Sequence, residues 1–318
     1  MKKEKIRYGV QVDTKESIST KGYSNVTEAA KYIRWLADSL FESGESACMY
    51  DWFIEKRGRK PANNNENMAG VGEFQSLDEA QETLVLGTVR PDSSNNPWTV
   101  DAVKYRNQLI VNLLLQIGCR KGESLNIKTT DIMTGTSGME VNIWRDPDSK
   151  VDPRVNQPCV KTLSRTVEIA PELSEMLEHY ILNYRSQVKG ANTCPYLFIS
   201  HQNGARQAVP MSLSALNKVF SELSVKVGFK VKPHGLRHTW NDRFSEAVEE
   251  AIETGDVTLE EVEDMRNWLQ GWKEGSGSSK VYTRRFKHNK AMQKGLELQK
   301  TRLTKQSKLL DDSDDIPR

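Results

Sequence analysis

At 318 residues the chain has the length for one large domain and a smaller one, and 37% hydrophobic content with a mean hydropathy of −0.64 describes a polar chain that can still fold around a core. The longest apolar run, Leu109 to Leu115, is broken by Asn112 and is too short to span a bilayer, so no membrane partner is expected. Met1-Lys2-Lys3-Glu4-Lys5 is not followed by the apolar stretch of a secretory signal. Cys48, Cys119, Cys159 and Cys194 form no C-x-x-C pair, which speaks against zinc and against a disulfide framework and makes a cytoplasmic location with reduced thiols the expectation.

The net charge of +2 conceals two opposed segments. Asp242 to Glu274 carries eleven acids against Arg243, Arg266 and Lys273, whereas Lys280 to Lys308 carries ten bases against Glu297. A basic C-terminal stretch fits a polyanionic partner, although a solvated amphipathic helix would have the same composition.

In chain order, residues 1–24 are polar and patternless, and Val26 to Phe41 predicts an amphipathic helix. Ala29, Ile33, Leu36, Leu40 and Phe41 would share its apolar face, and Asn25 or Thr27 would cap it. Arg57 to Asn67 reads as a linker. Ser76 with Glu79 three residues on predicts a capping box opening a second helix. Tyr105 to Ile117 is apolar on nearly every side, as a central core helix would be, and Gly118 ends it. Alternating runs at Glu140–Trp144 and Arg165–Ile169 predict a small antiparallel sheet. Helical spacing returns at Pro171–Tyr184, Ser212–Val227 and Leu236–Thr254. The expected fold class is mainly α with a small antiparallel β-sheet. The expected organisation is a short helical N-terminal region with a linker over 1–74, a main domain over 75–285, and a basic C-terminal segment with an acidic end over 286–318.

The run Val231-Lys232-Pro233-His234-Gly235-Leu236-Arg237-His238-Thr239-Trp240 places a guanidinium and two imidazoles within five positions behind a helix-opening proline. That grouping suits a phosphate, because Arg grips two oxygens and an imidazole moves a proton near neutral pH. Its partners along the chain are Gly118-Cys119-Arg120-Lys121-Gly122-Glu123, then Lys161, Gly271-Trp272 and Tyr282.

On these residues the chain resembles the tyrosine recombinases, or phage-type integrases, over residues 75–285. Arg120 and Glu123 match that family's G-x-R-x-x-E/D motif, and Lys161 matches its β-hairpin lysine. His234 and Arg237 match H-x-L-R-H, Gly271-Trp272 the G-H/W pair, and Tyr282 the terminal tyrosine. The resemblance implies a catalytic set of Arg120, Lys161, His234, Arg237, Trp272 and Tyr282, with Glu123 and His238 in support. Arg120 and Arg237 would neutralise the phosphate, and Lys161 would protonate the leaving 5′ oxygen. Lys150 and Arg154 stand as alternatives for the hairpin tip. His234 would assist proton transfer or steady the phosphate, and His238 would be structural. Trp272 would donate one indole N–H, with Trp268 the expected core aromatic. The arginines would favour the phenolate of Tyr282, whose ordinary pKa is about 10.

The implied reaction is site-specific cleavage and rejoining of double-stranded DNA through a 3′-phosphotyrosyl intermediate, for integration or excision of a mobile element. No metal or other cofactor is implied. The implied partners are DNA, a homotetramer on two DNA sites, and accessory DNA-bending proteins. The same chemistry would serve a type IB topoisomerase or a telomere resolvase, and a non-catalytic DNA-binding protein could retain the fold. Departures from the family pattern stand out. The region before the main domain is short, which leaves open how the chain would encircle DNA. About twelve extra, largely acidic residues separate the Arg237 helix from Gly271, with about one more between Trp272 and Tyr282, and these fit surface insertions.

Overall fold

The computed structural model describes residues 20–40, 50–55, 75–135, 138–145, 152–201, 207–273 and 284–311. The chain divides into two compact units, residues 1–73 and 74–318.

In the first unit α1 spans Thr20–Leu40, and residues 50–55 are helical. The helix begins six residues before Val26, so Asn25 and Thr27 lie inside it rather than at its cap. Thr27 instead donates its hydroxyl to Tyr23 O, one turn back. Of the expected apolar face Ile33 is half-buried, whereas Ala29, Leu36 and Leu40 are exposed, Ala30 is buried in place of Ala29, and Phe41 lies outside the described residues.

The second unit is built around α3 (Asp101–Gln116). Leu109, Ile110, Val111, Leu113, Leu114 and Leu115 are all buried, as a sequence apolar on every side requires. Each such side chain contributes about 1.5–3 kcal/mol relative to an exposed one. Packed against α3 are α2 (Glu79–Val89), α5 (Pro171–Tyr180) and α7 (Pro233–Ala247). The cap of α2 is Asp78, paired reciprocally with Gln81, and not Ser76 with Glu79. Both pairs have the capping-box spacing. Thr239 Oγ1 accepts the Leu77 N–H at 2.8 Å, which ties the chain ahead of the helix into the core and leaves Asp78 at the helix entry.

Between α4 (Lys121–Asn126) and α5 lies a three-stranded antiparallel sheet in the order β1-β2-β3. The strands are β1 (Ile132–Thr134), β2 (Met139–Ile143) and β3 (Arg165–Ile169), with Val141 opposite both Ile132 and Val167. Val141, Ile143, Val167 and Ile169 turn the inner face to the core. The β1 strand was not expected from the sequence, which at three residues offers too short a pattern to read.

After α6 (Leu213–Val227), the single helix expected over 236–254 is two: α7 and α8 (Glu249–Thr254), separated at Val248. The acidic stretch beyond them folds as α9 (Leu259–Gln270), capped by Thr258 and Glu261 and ended by Gly271 in the left-handed conformation. Trp268, the expected core aromatic, is 72% exposed, whereas Trp272 is 5% exposed. α9 buries Val262, Arg266 and Gln270, so its periodicity turns Trp268 outward. The basic segment forms α10 (Arg284–Asp311), whose first turn meets α7 where Phe286 N–H donates to Asp242 Oδ1. Lys290 of α10 also pairs with Glu249 of α8.

Candidate active site

Gly118 ends α3 at φ 61°, and a Cβ there would lie 2.7 Å from Gln270 Nε2 and 2.8 Å from Trp240, so this turn requires glycine. The turn delivers Arg120 to the N-cap of α4, where Glu123 Oε2 accepts the Arg120 N–H at 3.0 Å. The three-residue spacing of Arg120 and Glu123 is therefore that of a helix start whose N3 carboxylate reaches back to the N-cap.

Glu123 is completely buried and gathers the site. Its Oε2 also accepts from Arg165 Nη2 at 2.8 Å and lies 4.0 Å from Arg237 Nη1. Its Oε1 accepts from Thr162 Oγ1 at 2.5 Å and lies 3.8 Å from Arg120 Nη1. Burial pushes the carboxyl pKa up, but Arg165, Arg237 and the hydrogen bonds outweigh it and hold it below the usual carboxylate value. Glu123 thus contacts three arginines and closes the first turn of its own helix.

Such an arrangement has a stability signature. Glu123→Gln leaves buried guanidinium charge uncompensated and is expected to lower the unfolding free energy by about 3–5 kcal/mol in a urea titration. Because the folded pKa of Glu123 is depressed, its contribution is complete above the ordinary carboxylate value and fades as pH falls through the folded one. The gap between wild type and variant should therefore narrow in acid. A loss below about 1 kcal/mol at neutral pH would contradict the role of Glu123 as the centre of the network.

The first two turns of α7 carry His234, Arg237 and His238. Arg237 is fully buried, donating from Nη1 to Gly118 O at 2.7 Å and from Nη2 to Gln270 O at 3.0 Å. Its guanidinium lies 5.2 Å from the centre of the Trp272 ring. His234 meets His238 edge to face, with ring centres 4.9 Å apart, and His238 is buried beneath it. Burial, then the cations Arg237, Arg120, Lys232 and Lys121, push the His234 pKa below that of an ordinary imidazole. These surroundings favour the neutral form of the His234 ring.

Lys161 is exposed and stands four residues before β3, on the return limb of the long connection from β2. β2 and β3 pair antiparallel on either side of that connection. Of the two alternatives, Arg154 is buried and fully engaged, bonding Leu125 O, Met211 O, Asn126 Oδ1 and Asp152. Lys150 lies outside the described residues, as does Tyr282.

One open cleft of about 740 Å³ brings Arg120, Lys161, His234 and Arg237 together on its walls. Lys121, Lys232, Gln157, Cys159 and Asn217 complete much of the lining, so its charged groups are cations. Trp272 and Glu123 support Arg237 from the protein side. Thr162 and Arg165 were not among the site residues expected from the sequence. A signal for Arg165 was present, since it shares the inward phase of Val167 and Ile169 along β3, and a charge at such a position demands a buried partner. Thr162 left no comparable mark.

The Phage integrase family model matches residues 92–253, half of the chain, and so takes in Arg120, Glu123, Lys161, His234, Arg237 and His238. The chain belongs to the phage integrase family. The match ends before Gly271, Trp272 and Tyr282. Among relatives in this family, tyrosine recombinase XerS of Streptococcus mutans serotype c (strain ATCC 700610 / UA159) is 27% identical over 149 residues. The aligned part is 47% of this chain and 37% of that protein, so the chain spans little more than a third of its relative's length. Solved structures similar to this integrase-family chain include XerH site-specific recombinase bound to a palindromic difH substrate. It has a TM-score of 0.48 and 16% identity over 83% of this chain and 70% of that one. The Tn1549 transposon integrase in complex with circular intermediate DNA gives a TM-score of 0.45 and 15% identity, over 82% and 80% of the two chains.

Proposed function

We propose that this protein is a site-specific DNA recombinase that cuts and rejoins strands through a 3′-phosphotyrosyl link to Tyr282, serving integration or excision of a mobile element. The observation that carries the reading is the convergence of Arg120, Lys161, His234 and Arg237 on one cation-lined cleft. These residues come from a helix start, a strand approach and the first turns of another helix, and all four have the chemistry that phosphoryl transfer uses.

In this reading the scissile phosphate enters the cleft between Arg120 and Arg237. Two Arg237 N–H groups are already held by backbone carbonyls, so the guanidinium acts as a fixed, preorganised charge. The phenolic oxygen of Tyr282 attacks phosphorus, and neutral His234 is suited to take its proton. The P–O bond to the 5′ oxygen breaks as Lys161 supplies that oxygen with a proton. Rejoining reverses each step, with a 5′ hydroxyl displacing the tyrosine. The bond energy stays in the protein–DNA link, so neither ATP nor a metal ion is needed. We further propose double-stranded DNA as the substrate, four protomers on two sites as the working assembly, and α10 as part of the surface that builds it.

Incubation with nicked duplex DNA carrying the element's ends, in excess EDTA, is expected to yield a covalent protein–DNA species that survives denaturant. DNA binding without any such species would favour the alternative of a non-catalytic binder that keeps the fold.

A further inference from the structure

Lys161 is exposed and lies in an irregular stretch, yet the residue after it is among the most constrained in the chain. Thr162 is 2% exposed, and its hydroxyl donates to Glu123 Oε1 at 2.5 Å. Thr162 Oγ1 in turn accepts from Arg165 Nη1 at 3.4 Å. Leu163 N–H donates to Gly271 O at 2.9 Å, and Arg165 Nε donates to Leu269 O at 2.7 Å. The limb is therefore fastened on both sides, to the start of α4 through Glu123 and to the end of α9 through Leu269 and Gly271.

Gly271 permits this close approach. At φ 61° a Cβ would lie 2.8 Å from both Arg165 Nη1 and Leu163 O, and 3.0 Å from Thr162 Cβ. Glu123 in turn accepts the backbone N–H of Arg120. A single carboxylate thus sets the register between the arginine on one cleft wall and the backbone that carries the lysine on the other.

We propose that Thr162 is a positioning residue, whose hydrogen bond to Glu123 holds Lys161 at the distance from Arg120 needed to protonate the leaving 5′ oxygen. The inference rests on the donor role given to Lys161 above. Thr162 sits behind the cleft wall and acts only through its neighbour. A flexible four-carbon ammonium gains reach but loses aim, so its placement depends on where its Cα is fixed. A misplacement of about 1 Å in a reacting group costs on the order of 10²-fold in rate.

The test uses the full chain and two nicked DNA substrates, one with an ordinary phosphodiester and one with sulfur in place of the bridging 5′ oxygen. A 5′ thiolate leaves without a proton, so the second substrate bypasses the donor. Thr162→Val keeps the side-chain shape and is expected to slow cleavage of the ordinary substrate by about 10²-fold. On the sulfur substrate it should cut at close to the wild-type rate, with unchanged DNA affinity on both. Thr162→Ser, which keeps the hydroxyl, should restore most of the rate on the ordinary substrate.

Lys161→Ala is run beside them. If sulfur rescues Lys161→Ala but not Thr162→Val, the positioning role is overturned while the donor assignment stands. If sulfur rescues neither, the donor assignment itself fails and takes this inference with it. Equal rates for Thr162→Val and wild type on the ordinary substrate would also overturn it. Should Thr162→Val fold poorly, Thr162→Ala, which also lacks the hydroxyl, decides on both substrates. An alanine variant slowed equally on the two substrates, or on neither, contradicts the proposal, and one slowed only on the oxygen substrate supports it.

Discussion

Arg120→Ala is expected to slow strand cleavage by about three powers of ten, because one preorganised donor at a developing charge is worth about 3–4 kcal/mol. Arg120 suits this test since its side chain is 27% exposed on the cleft wall and only loosely paired, at 3.8 Å, with Glu123. Its loss should leave the fold standing, which circular dichroism would verify. Arg120→Lys should recover little, because an ammonium cannot present the planar fork that meets two phosphate oxygens. Single-turnover cleavage at saturating DNA is the measurement, and a lysine variant within about threefold of wild type would remove Arg120 from the phosphate site. Arg237 poses a different problem. It is fully buried and holds Gly118 O and Gln270 O together, so Arg237→Ala combines a rate loss with a stability loss.

Tyr282→Phe should have the larger effect, since it deletes the one oxygen assigned to attack phosphorus. Covalent capture of nicked DNA should fall below detection while affinity for the uncut duplex stays within about twofold of wild type, as the substitution removes a single oxygen. Persistent capture by the phenylalanine variant would mean that a different side chain is the nucleophile.

How far the sequence revealed this site depends on what each residue does. Arg120 with Glu123 was marked by the G-x-R-x-x-E pattern, and the structure sets the pair at a helix start with the carboxylate reaching back to the N-cap. His234 and Arg237 were marked by the cluster of a guanidinium and two imidazoles behind a helix-opening proline, and the structure carries them on the first turns of α7. The central helix, the β2–β3 pairing and most helices followed from periodicity. What escaped depends on tertiary contact. Ser76 and Asp78 both had the spacing to cap α2, and a hydrogen bond from Leu77 to Thr239, 162 residues away, goes with the choice. Trp268 and Trp272 look alike in sequence, but the left-handed turn at Gly271 folds only the second back against Arg237. The Thr162–Glu123–Arg165 network joins two segments far apart in the chain, the start of α4 and the approach to β3, and its members look ordinary until Glu123 is seen to be buried.

Covalent attachment of Tyr282 to the 3′ end of a cut strand is read by trapping the wild-type protein on nicked duplex, digesting the product with nuclease and trypsin, and identifying the modified peptide by mass spectrometry. Tryptic cleavage after Lys280 and Arg284 isolates the peptide spanning residues 281–284, in which Tyr282 is the only tyrosine. The account predicts a nucleotide joined through its 3′ phosphate to that peptide. A nucleotide on any other peptide, or one joined through a 5′ phosphate, would contradict it.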